Sequence, residues 1–269
     1  MEGLNIAMAT ACEKGIFHGL KIPHSDITIS HQFYADDALF MGEWKKSNIM
    51  NLARILRCFY ISSGLKVNFQ KSKVFGIGSS IQETSRWATP LGCEPACLPF
   101  TYLGVPIGAN MNLQRHWQSI IERFHSKLTS WKAKTLSFGG RLTLIKSVLG
   151  NLSTYFFSIF VVPMGVINTL EKIRQKFLWG EMESNKKINW VAWEKVITHK
   201  DASGLGLGAL RALNLSLITK WWWRYRKDFT GFWCQIIQGL HNLYDKPDTC
   251  IAKRTITVVW KSIASIDKN

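Results

Sequence analysis

Two adjacent carboxylates, Asp36 and Asp37, are the side chains of this sequence whose type and spacing are best suited to chemistry. They follow an alternating apolar and polar run at 27–34 and precede a short apolar run at 38–41. Like charges this close repel each other unless a cation lies beside them, and hard carboxylate oxygens suit Mg²⁺ or Mn²⁺. Such an ion supports phosphoryl transfer by polarising a nucleophile and a phosphate. An ordinary turn is the alternative, because Asp is common in hairpin turns for conformational reasons.

The six cysteines are dispersed, and only Cys93 and Cys97 are close in sequence. They could form half of a zinc site with His116 or His125. No second pair follows at a finger-like spacing, so buried thiols in a reducing compartment are the favoured interpretation.

The acidic pair needs a scaffold, and the pattern around it predicts two short strands joined by an acidic turn. Residues 2–14 have the pattern of a helix. Between Lys46 and Ser63 apolar residues recur every three or four positions, which predicts a helix with one buried face that ends at Ser63-Gly64. A turn and strand at 66–77, a short helix from Ile81 and one strand at 100–108 follow, so this part is α+β.

From Asn112 onwards the pattern is helical, and most of the net charge of +16 lies here. Residues 1–110 carry 10 basic and 8 acidic side chains, whereas residues 111–269 carry 24 and 10, a net charge of +14. Apolar stripes predict three helices up to Gly180, whose other faces carry a set of cations: Arg115, Arg123, Lys127, Lys132, Lys134, Arg141, Lys146, Lys172, Arg174 and Lys176. This coincidence favours a helical bundle that lies against a phosphate backbone, with a solvated face as the alternative.

A further helix is predicted at 209–226, and it ends in Trp221-Trp222-Trp223-Arg224-Tyr225-Arg226. Aromatic side chains interleaved with arginines can stack bases. Three successive tryptophans cannot share one helix face, so we expect at least one in the core. The uncharged stretch 147–170 could suggest a membrane span, but its polar residues and Pro163 favour a buried helix that breaks before the proline. The glycine-rich 204–208 segment lacks the spacing of a phosphate loop and predicts a turn that enters a helix.

The segment Phe33-Tyr34-Ala35-Asp36-Asp37 resembles the catalytic hairpin of reverse transcriptases. The segments after it resemble, in order and spacing, the non-LTR (LINE-type) retrotransposon polymerases of plants: Ser63-Gly64-Leu65-Lys66-Val67-Asn68-Phe69-Gln70-Lys71-Ser72-Lys73, Tyr102-Leu103-Gly104-Val105-Pro106-Ile107, Leu136-Ser137-Phe138-Gly139-Gly140-Arg141-Leu142-Thr143-Leu144-Ile145, Phe177-Leu178-Trp179-Gly180, Ile188-Asn189-Trp190-Val191-Ala192-Trp193 and Gly204-Leu205-Gly206. The resemblance extends to about Trp223.

The resemblance implies roles for individual residues. Asp36 would bind a catalytic Mg²⁺ or Mn²⁺ ion, with Asp37 as its less directly coordinating neighbour, and Tyr34 would lie beside the primer–template end. Lys71 would protonate the leaving pyrophosphate, although a solvated lysine is an equal alternative. Tyr102 and Gly104 would belong to the primer grip. The cations Arg115, Arg123, Lys127, Lys132, Lys134, Arg141 and Lys146 would hold the duplex through its phosphates.

By the same resemblance, the chain divides into four parts. Residues 1–79 would be the distal half of the polymerase palm, 80–110 the primer-grip region, 111–180 a basic helical thumb, and 181–269 a helical connector that leads toward a truncated or absent zinc-binding module. The family needs another aspartate from an upstream strand and a Gln-Gly-Asp-Pro-Leu-Ser-Pro-like segment, and the sequence contains neither. We therefore expect a reverse-transcriptase fragment that does not polymerise by itself.

The implied partners are an RNA template, a DNA primer and, in the intact enzyme, a deoxynucleoside triphosphate, with no membrane. No secretory signal pattern is present, which favours the nucleus or cytoplasm. Two alternatives remain open: a nucleic-acid-binding remnant without catalysis, and a degenerate fragment without function that would expose an unpaired strand edge.

Overall fold

The computed structural model describes residues 2–129, 132, 135–148, 154–180, 190–228, 230–242, 260 and 263. The chain divides into two compact units, Met1–Gly108 with Gln235–Tyr244, and Ala109–Cys234 with Asp245–Asn269. Helices and short strands make up the first unit, whereas the described part of the second unit is helical.

The first unit contains three α-helices and eight short strands up to Gly108. Their bounds are α1 Glu2–Glu13, β1 Leu20–Lys21, β2 Thr28–Ile29, β3 His31–Tyr34, β4 Asp37–Phe40, α2 Lys46–Ser63, β5 Lys73–Phe75, α3 Ile81–Ala88, β6 Glu94–Ala96, β7 Phe100–Tyr102 and β8 Val105–Ile107. Within the described residues the strands form four two-stranded sheets, β1–β2, β3–β4, β5–β6 and β7–β8. The β5–β6 pair is parallel and the other three pairs are antiparallel.

Local sequence explains the ends of the helices in this unit. The helix α2 ends at Gly64, whose φ of 71° is left-handed and whose N–H donates to the carbonyl of Tyr60. The side chain of Ser80 caps α3 by accepting a hydrogen bond from the N–H of Glu83. Both boundaries confirm the sequence prediction.

The core of the first unit lies between α1, the following loop and α2. Its buried members are Leu4, Met8, Ala11, Phe17 and Leu56, and Phe33 and Phe40 of the β3–β4 hairpin pack against them. Burial of these side chains fixes the base of the hairpin.

The second unit contains the helices α4 Gln118–Lys127, α5 Phe138–Val148, α6 Thr154–Ile159, α7 Met164–Trp179, α8 Trp193–Ile197 and α9 Leu210–Lys227. A further helix, α10 (Phe232–His241), crosses the boundary between the units. Up to Gly180 the sequence predicts three helices, and the structure describes four. The second predicted stripe, which extends to Leu152, includes residues at 149–153 that lie outside the described residues.

The break before Pro163 is confirmed, because α6 ends at Ile159 and α7 begins at Met164. One side chain of α9 satisfies the backbone groups that the break leaves free. The Asn214 amide donates to the carbonyls of Phe157 and Phe160, both across 2.8 Å, and its oxygen accepts from the N–H of Val162 at 3.0 Å. Within the parts of the chain that the structure describes, no helix combines the length and apolar character needed to cross a lipid bilayer.

Candidate functional site

The acidic pair lies at the tip of a tight hairpin, which confirms the predicted strand–turn–strand unit. Tyr34 pairs with Asp37, so Ala35 and Asp36 form a two-residue turn and Asp37 opens β4. Ala35 has a φ of 51°, a left-handed conformation that residues other than Gly adopt at a cost. Asp36 and Asp37 are both exposed, and Tyr34 is 61% exposed.

The base of this hairpin is held by aromatic and polar contacts. Phe33 and Phe40 meet edge to face with 5.8 Å between ring centroids. His31 Nε2 lies 2.6 Å from Oδ1 of Asn5, and Ser30 Oγ lies 2.8 Å from His31 Nδ1. Since an amide oxygen only accepts, Nε2 donates to Asn5 and the Ser30 hydroxyl donates to Nδ1. Burial lowers the pKa of His31, which favours this neutral ring.

The chemistry available at the tip is that of two adjacent oxygen donors open to solvent. Asp36 and Asp37 could supply two ligands to Mg²⁺, which takes carboxylate oxygens together with water or substrate phosphate. Among the described residues, no group of three or more His, Cys, Asp or Glu side chains is arranged to hold a metal ion.

The structure does not bring Lys71 into contact with the acidic pair. Lys71 is exposed, and its backbone N–H donates to the carbonyl and side-chain oxygen of Asn68 in a turn. No hydrogen bond or ion pair between described residues joins it to Asp36 or Asp37.

The segment 100–108 is a hairpin, so the prediction of one strand is wrong. Strands β7 and β8 pair antiparallel about a turn at Leu103 and Gly104, which both have positive φ values of 49° and 78°. Such a turn matches the twist of the flanking strands. Tyr102 is half-buried, and its buried hydroxyl oxygen has no hydrogen-bond partner among the described residues. Gly104 lies at the tip, where a Cβ would meet no atom of the described residues within 4 Å.

The predicted phosphate-binding cations of the second unit fall into distinct groups. Arg115, Arg123, Lys127 and Lys146 are exposed. Lys132 is half-buried, and its ammonium donates to the carbonyl of Lys127. Lys134 lies outside the described residues.

The Arg141 side chain makes contacts within the second unit. Its guanidinium donates to the carbonyl of Leu178 across 2.7 Å, in the last turn of α7, and lies 6.0 Å from the ring centroid of Phe138. A cation at a helix C-terminus satisfies an otherwise free carbonyl. The guanidinium thus supports the fold, although the sequence predicts a phosphate contact.

The prediction that Arg174 lies on the outer face of its helix is wrong, because the side chain is fully buried. Its guanidinium donates to Glu171 and to the carbonyls of Leu207 and Gly208. The glycine-rich segment is therefore a turn that binds an arginine and then enters α9, as its sequence predicts for the helix entry.

The three successive tryptophans of α9 have different surroundings. None of the three is fully buried: Trp221 and Trp222 are half-buried, and Trp223 is 55% exposed. Trp221 is the one that faces the fold, since its Nε1 donates to the carbonyl of Ser158 and its ring meets that of Trp233. The expectation that Cys93 and Cys97 are buried thiols is wrong, because Cys93 is half-buried and Cys97 is exposed, both as free thiols.

Comparison with known proteins identifies relatives from one plant. No family model matches the chain. A stretch of 147 residues, 54% of the chain, is 35% identical to an Arabidopsis thaliana protein provisionally named a ribonuclease H protein, and spans 24% of that protein. A stretch of 113 residues, 42% of the chain, is 26% identical to an uncharacterized mitochondrial protein of the same plant, and spans 73% of it. The match therefore covers about a quarter of the first relative's length.

Proposed function

We propose that this chain is part of a non-LTR retrotransposon reverse transcriptase, comprising the distal palm, the thumb and the connector. The observation that carries the proposal is the tight β3–β4 hairpin, which presents Asp36 and Asp37 to solvent beside an exposed Tyr34. A hairpin of this sequence and geometry suits a site where carboxylates must meet a metal ion and a primer end. The ribonuclease H name of one relative is consistent with a nucleic-acid role.

Asp36 and Asp37 would hold Mg²⁺ or Mn²⁺, which supplies charge stabilisation at the reacting phosphate. Tyr34 would pack beside the primer–template end, and Tyr102 and Gly104 would contact the primer. The exposed ammonium of Lys71 would donate a proton to the departing pyrophosphate oxygen.

The exposed cations Arg115, Arg123, Lys127 and Lys146 would hold an RNA–DNA hybrid by its phosphates. Their counterparts on the hybrid are regularly spaced negative charges, so binding would release counterions and weaken with salt. This part of the proposal does not depend on catalysis.

We expect the chain to bind a hybrid without extending the primer, because the additional aspartate and the nucleotide-contacting segment of the family are missing from the sequence. The test is primer extension by the purified full chain on an RNA template, with Mg²⁺ and with Mn²⁺. Incorporation that Asp36→Asn abolishes, and that Asp26→Asn at an exposed position outside the hairpin leaves intact, would refute the expected inactivity and establish polymerisation.

Hybrid binding is tested by fluorescence anisotropy over a range of salt. The Arg123→Ala/Lys127→Ala variant should lower the slope of log K against log salt by about 1.8, at about 0.9 for each phosphate that is no longer neutralised. Lys14→Ala/Lys21→Ala removes two exposed cations of the first unit and should leave the slope unchanged. Absence of salt-dependent binding in the wild-type chain would overturn the nucleic-acid role.

A second candidate is a nucleic-acid-binding remnant without catalysis. The observation that favours it is that Asp36 and Asp37 have no third metal-binding side chain grouped with them among the described residues. Hybrid binding that is unaffected by Asp36→Asn, together with no incorporation under either metal, would support this candidate.

A further inference from the structure

The final two turns of α9 display aromatic and cationic side chains in pairs. Arg226 lies over the ring of Trp222, with Cζ 4.1 Å from the ring centroid, and Lys227 Nζ lies 5.0 Å from the ring centroid of Trp223. Each cation follows its indole by four residues, so each pair lies on one face of the helix. We define these four residues as the Trp222–Lys227 surface.

Packing among the residues that the structure describes does not account for the indoles of this surface. The buried residues of α9 are Leu210, Asn214, Ile218 and Tyr225, and Trp221 extends their face. Trp222 and Trp223 lie about 100° and 200° further around the helix than Trp221, at 3.6 residues per turn. Cations in a last turn stabilise the helix dipole, but this effect does not require indoles at 222 and 223.

The charge of the helix indicates the chemistry of a partner. α9 carries five basic residues, Arg211, Lys220, Arg224, Arg226 and Lys227, and has no acidic residue. Planar indole and guanidinium groups beside such charge offer stacking surfaces for bases together with attraction for phosphates.

We propose that the Trp222–Lys227 surface binds single-stranded nucleic acid by stacking on its unpaired bases. The exposed indole of Trp223 provides the stacking face, and the positive charges of Arg226 and Lys227 attract the phosphates. A duplex keeps its bases stacked on each other, so this surface discriminates against it. The inference extends the proposed nucleic-acid role and needs no catalysis at Asp36 and Asp37.

The experiment measures binding of the full chain to a fluorescein-labelled oligo(dT) or oligo(U) and, in parallel, to an RNA–DNA hybrid. Trp223→Ala should weaken single-strand binding about tenfold, because stacking one base on an aromatic ring contributes about one factor of ten or more. Its salt slope should stay unchanged, since the substitution removes no charge. Arg226→Ala/Lys227→Ala should lower the slope by roughly 1.4, at about 0.7 for each single-strand phosphate.

The matched control is Trp190→Ala, which removes an indole of the same unit that is 85% exposed and should leave both affinities unchanged. Circular dichroism and a thermal melt establish that each variant is folded. Trp223 is the primary target because its exposure makes loss of packing small, and Trp222→Phe keeps a ring at the half-buried position.

The outcomes distinguish failure of this inference from failure of the proposed function. Hybrid binding with salt dependence, but equal single-strand affinity for wild type and Trp223→Ala, overturns the inference and leaves the proposed function standing. Single-strand binding that requires Trp223, without hybrid binding, supports the inference. It refutes the proposal that the second unit holds an RNA–DNA hybrid. No binding to either ligand overturns both. Binding to phosphatidylglycerol vesicles that requires Trp223, with no oligonucleotide effect, assigns the surface to a membrane and overturns the inference.

Discussion

The buried guanidinium of Arg174 donates to Oε2 of Glu171 across 2.7 Å, three residues earlier on α7. The other oxygen of the Glu171 carboxylate accepts from the N–H of Leu210 in the first turn of α9, and Oε2 also accepts from Trp193 Nε1. This pair of opposite charges therefore connects α7 to α8, to the glycine-rich turn and to the start of α9.

Removing one member of this pair should destabilise the second unit strongly. Arg174→Met leaves the Glu171 carboxylate without its counter-charge and should lower the free energy of unfolding by about 3–5 kcal/mol, measured by urea denaturation. Lys172→Met, an exposed position on the same helix, should change it by no more than about 0.5 kcal/mol. The double variant Arg174→Met/Glu171→Leu should be more stable than Arg174→Met alone, and an equal or lower stability would contradict this account.

Substitution of Arg141 should affect stability, whereas substitution of Arg123 should affect hybrid binding. Arg141→Ala removes a charged donor from the carbonyl of Leu178 and should lower the free energy of unfolding by about 1.5–3 kcal/mol, without changing the salt slope of hybrid binding. Arg123→Ala, at an exposed position, should instead reduce that slope by about 0.9 and leave the melting temperature nearly unchanged. The two expectations fail together if Arg141→Ala alters the slope and Arg123→Ala does not.

Ala35→Gly should stabilise the first unit, because glycine adopts the left-handed φ of this turn without the steric cost of a Cβ. We expect the free energy of unfolding to rise by up to about 1 kcal/mol. The gain is limited because glycine also gives the unfolded chain more conformational freedom, which offsets part of the steric relief in the turn. Ala38 lies in β4 with an ordinary φ, so the control Ala38→Gly should lower the free energy of unfolding by about 0.5–1 kcal/mol. Chemical denaturation that shows both substitutions with the same sign would contradict the strained turn.

His31 should make the stability of the first unit depend on pH. Burial lowers the pKa of His31 in the folded chain, so protonation favours the unfolded chain. The contribution of neutral His31 to stability is fully present above the pKa of about 6.5 that histidine has in the unfolded chain. It is lost as the pH falls from there through the lower pKa of the folded chain. Denaturation between pH 5 and 8 should show this loss in the wild type and in the exposed-site control His18→Gln, and a smaller loss in His31→Gln.

The local elements near the acidic pair were predictable because their signals are local. The α2 boundary at Gly64 follows from a residue type that favours one backbone conformation. The start of α3 at Ile81 was likewise predicted from the local sequence. The hairpin tip at Asp36 follows from the same reasoning, since apolar runs on both sides leave only a short turn between them.

Two features escaped prediction for physical reasons. The turn at Leu103 and Gly104 interrupts a run of strand-forming residues, and only one of its two positive-φ positions holds a glycine, the residue type that indicates a turn. Arg174 belongs by type to the surface, and its burial depends on carbonyls of residues 207 and 208, which are distant in sequence. The one local signal was Glu171 three residues earlier, a spacing that also suits an ordinary surface pair.

The amide of Asn214 also bears on whether this chain has drifted without selection. Its three hydrogen bonds to the backbone before Pro163 require two donors and one acceptor at a fixed reach, and only Gln among the other side chains offers the same groups. No single-base change converts an Asn codon into a Gln codon, so every first missense mutation at this codon forfeits part of the network. A coding sequence freed from selection would accumulate such changes here as readily as at silent positions, and natural variants at this codon therefore record whether the fold has been maintained.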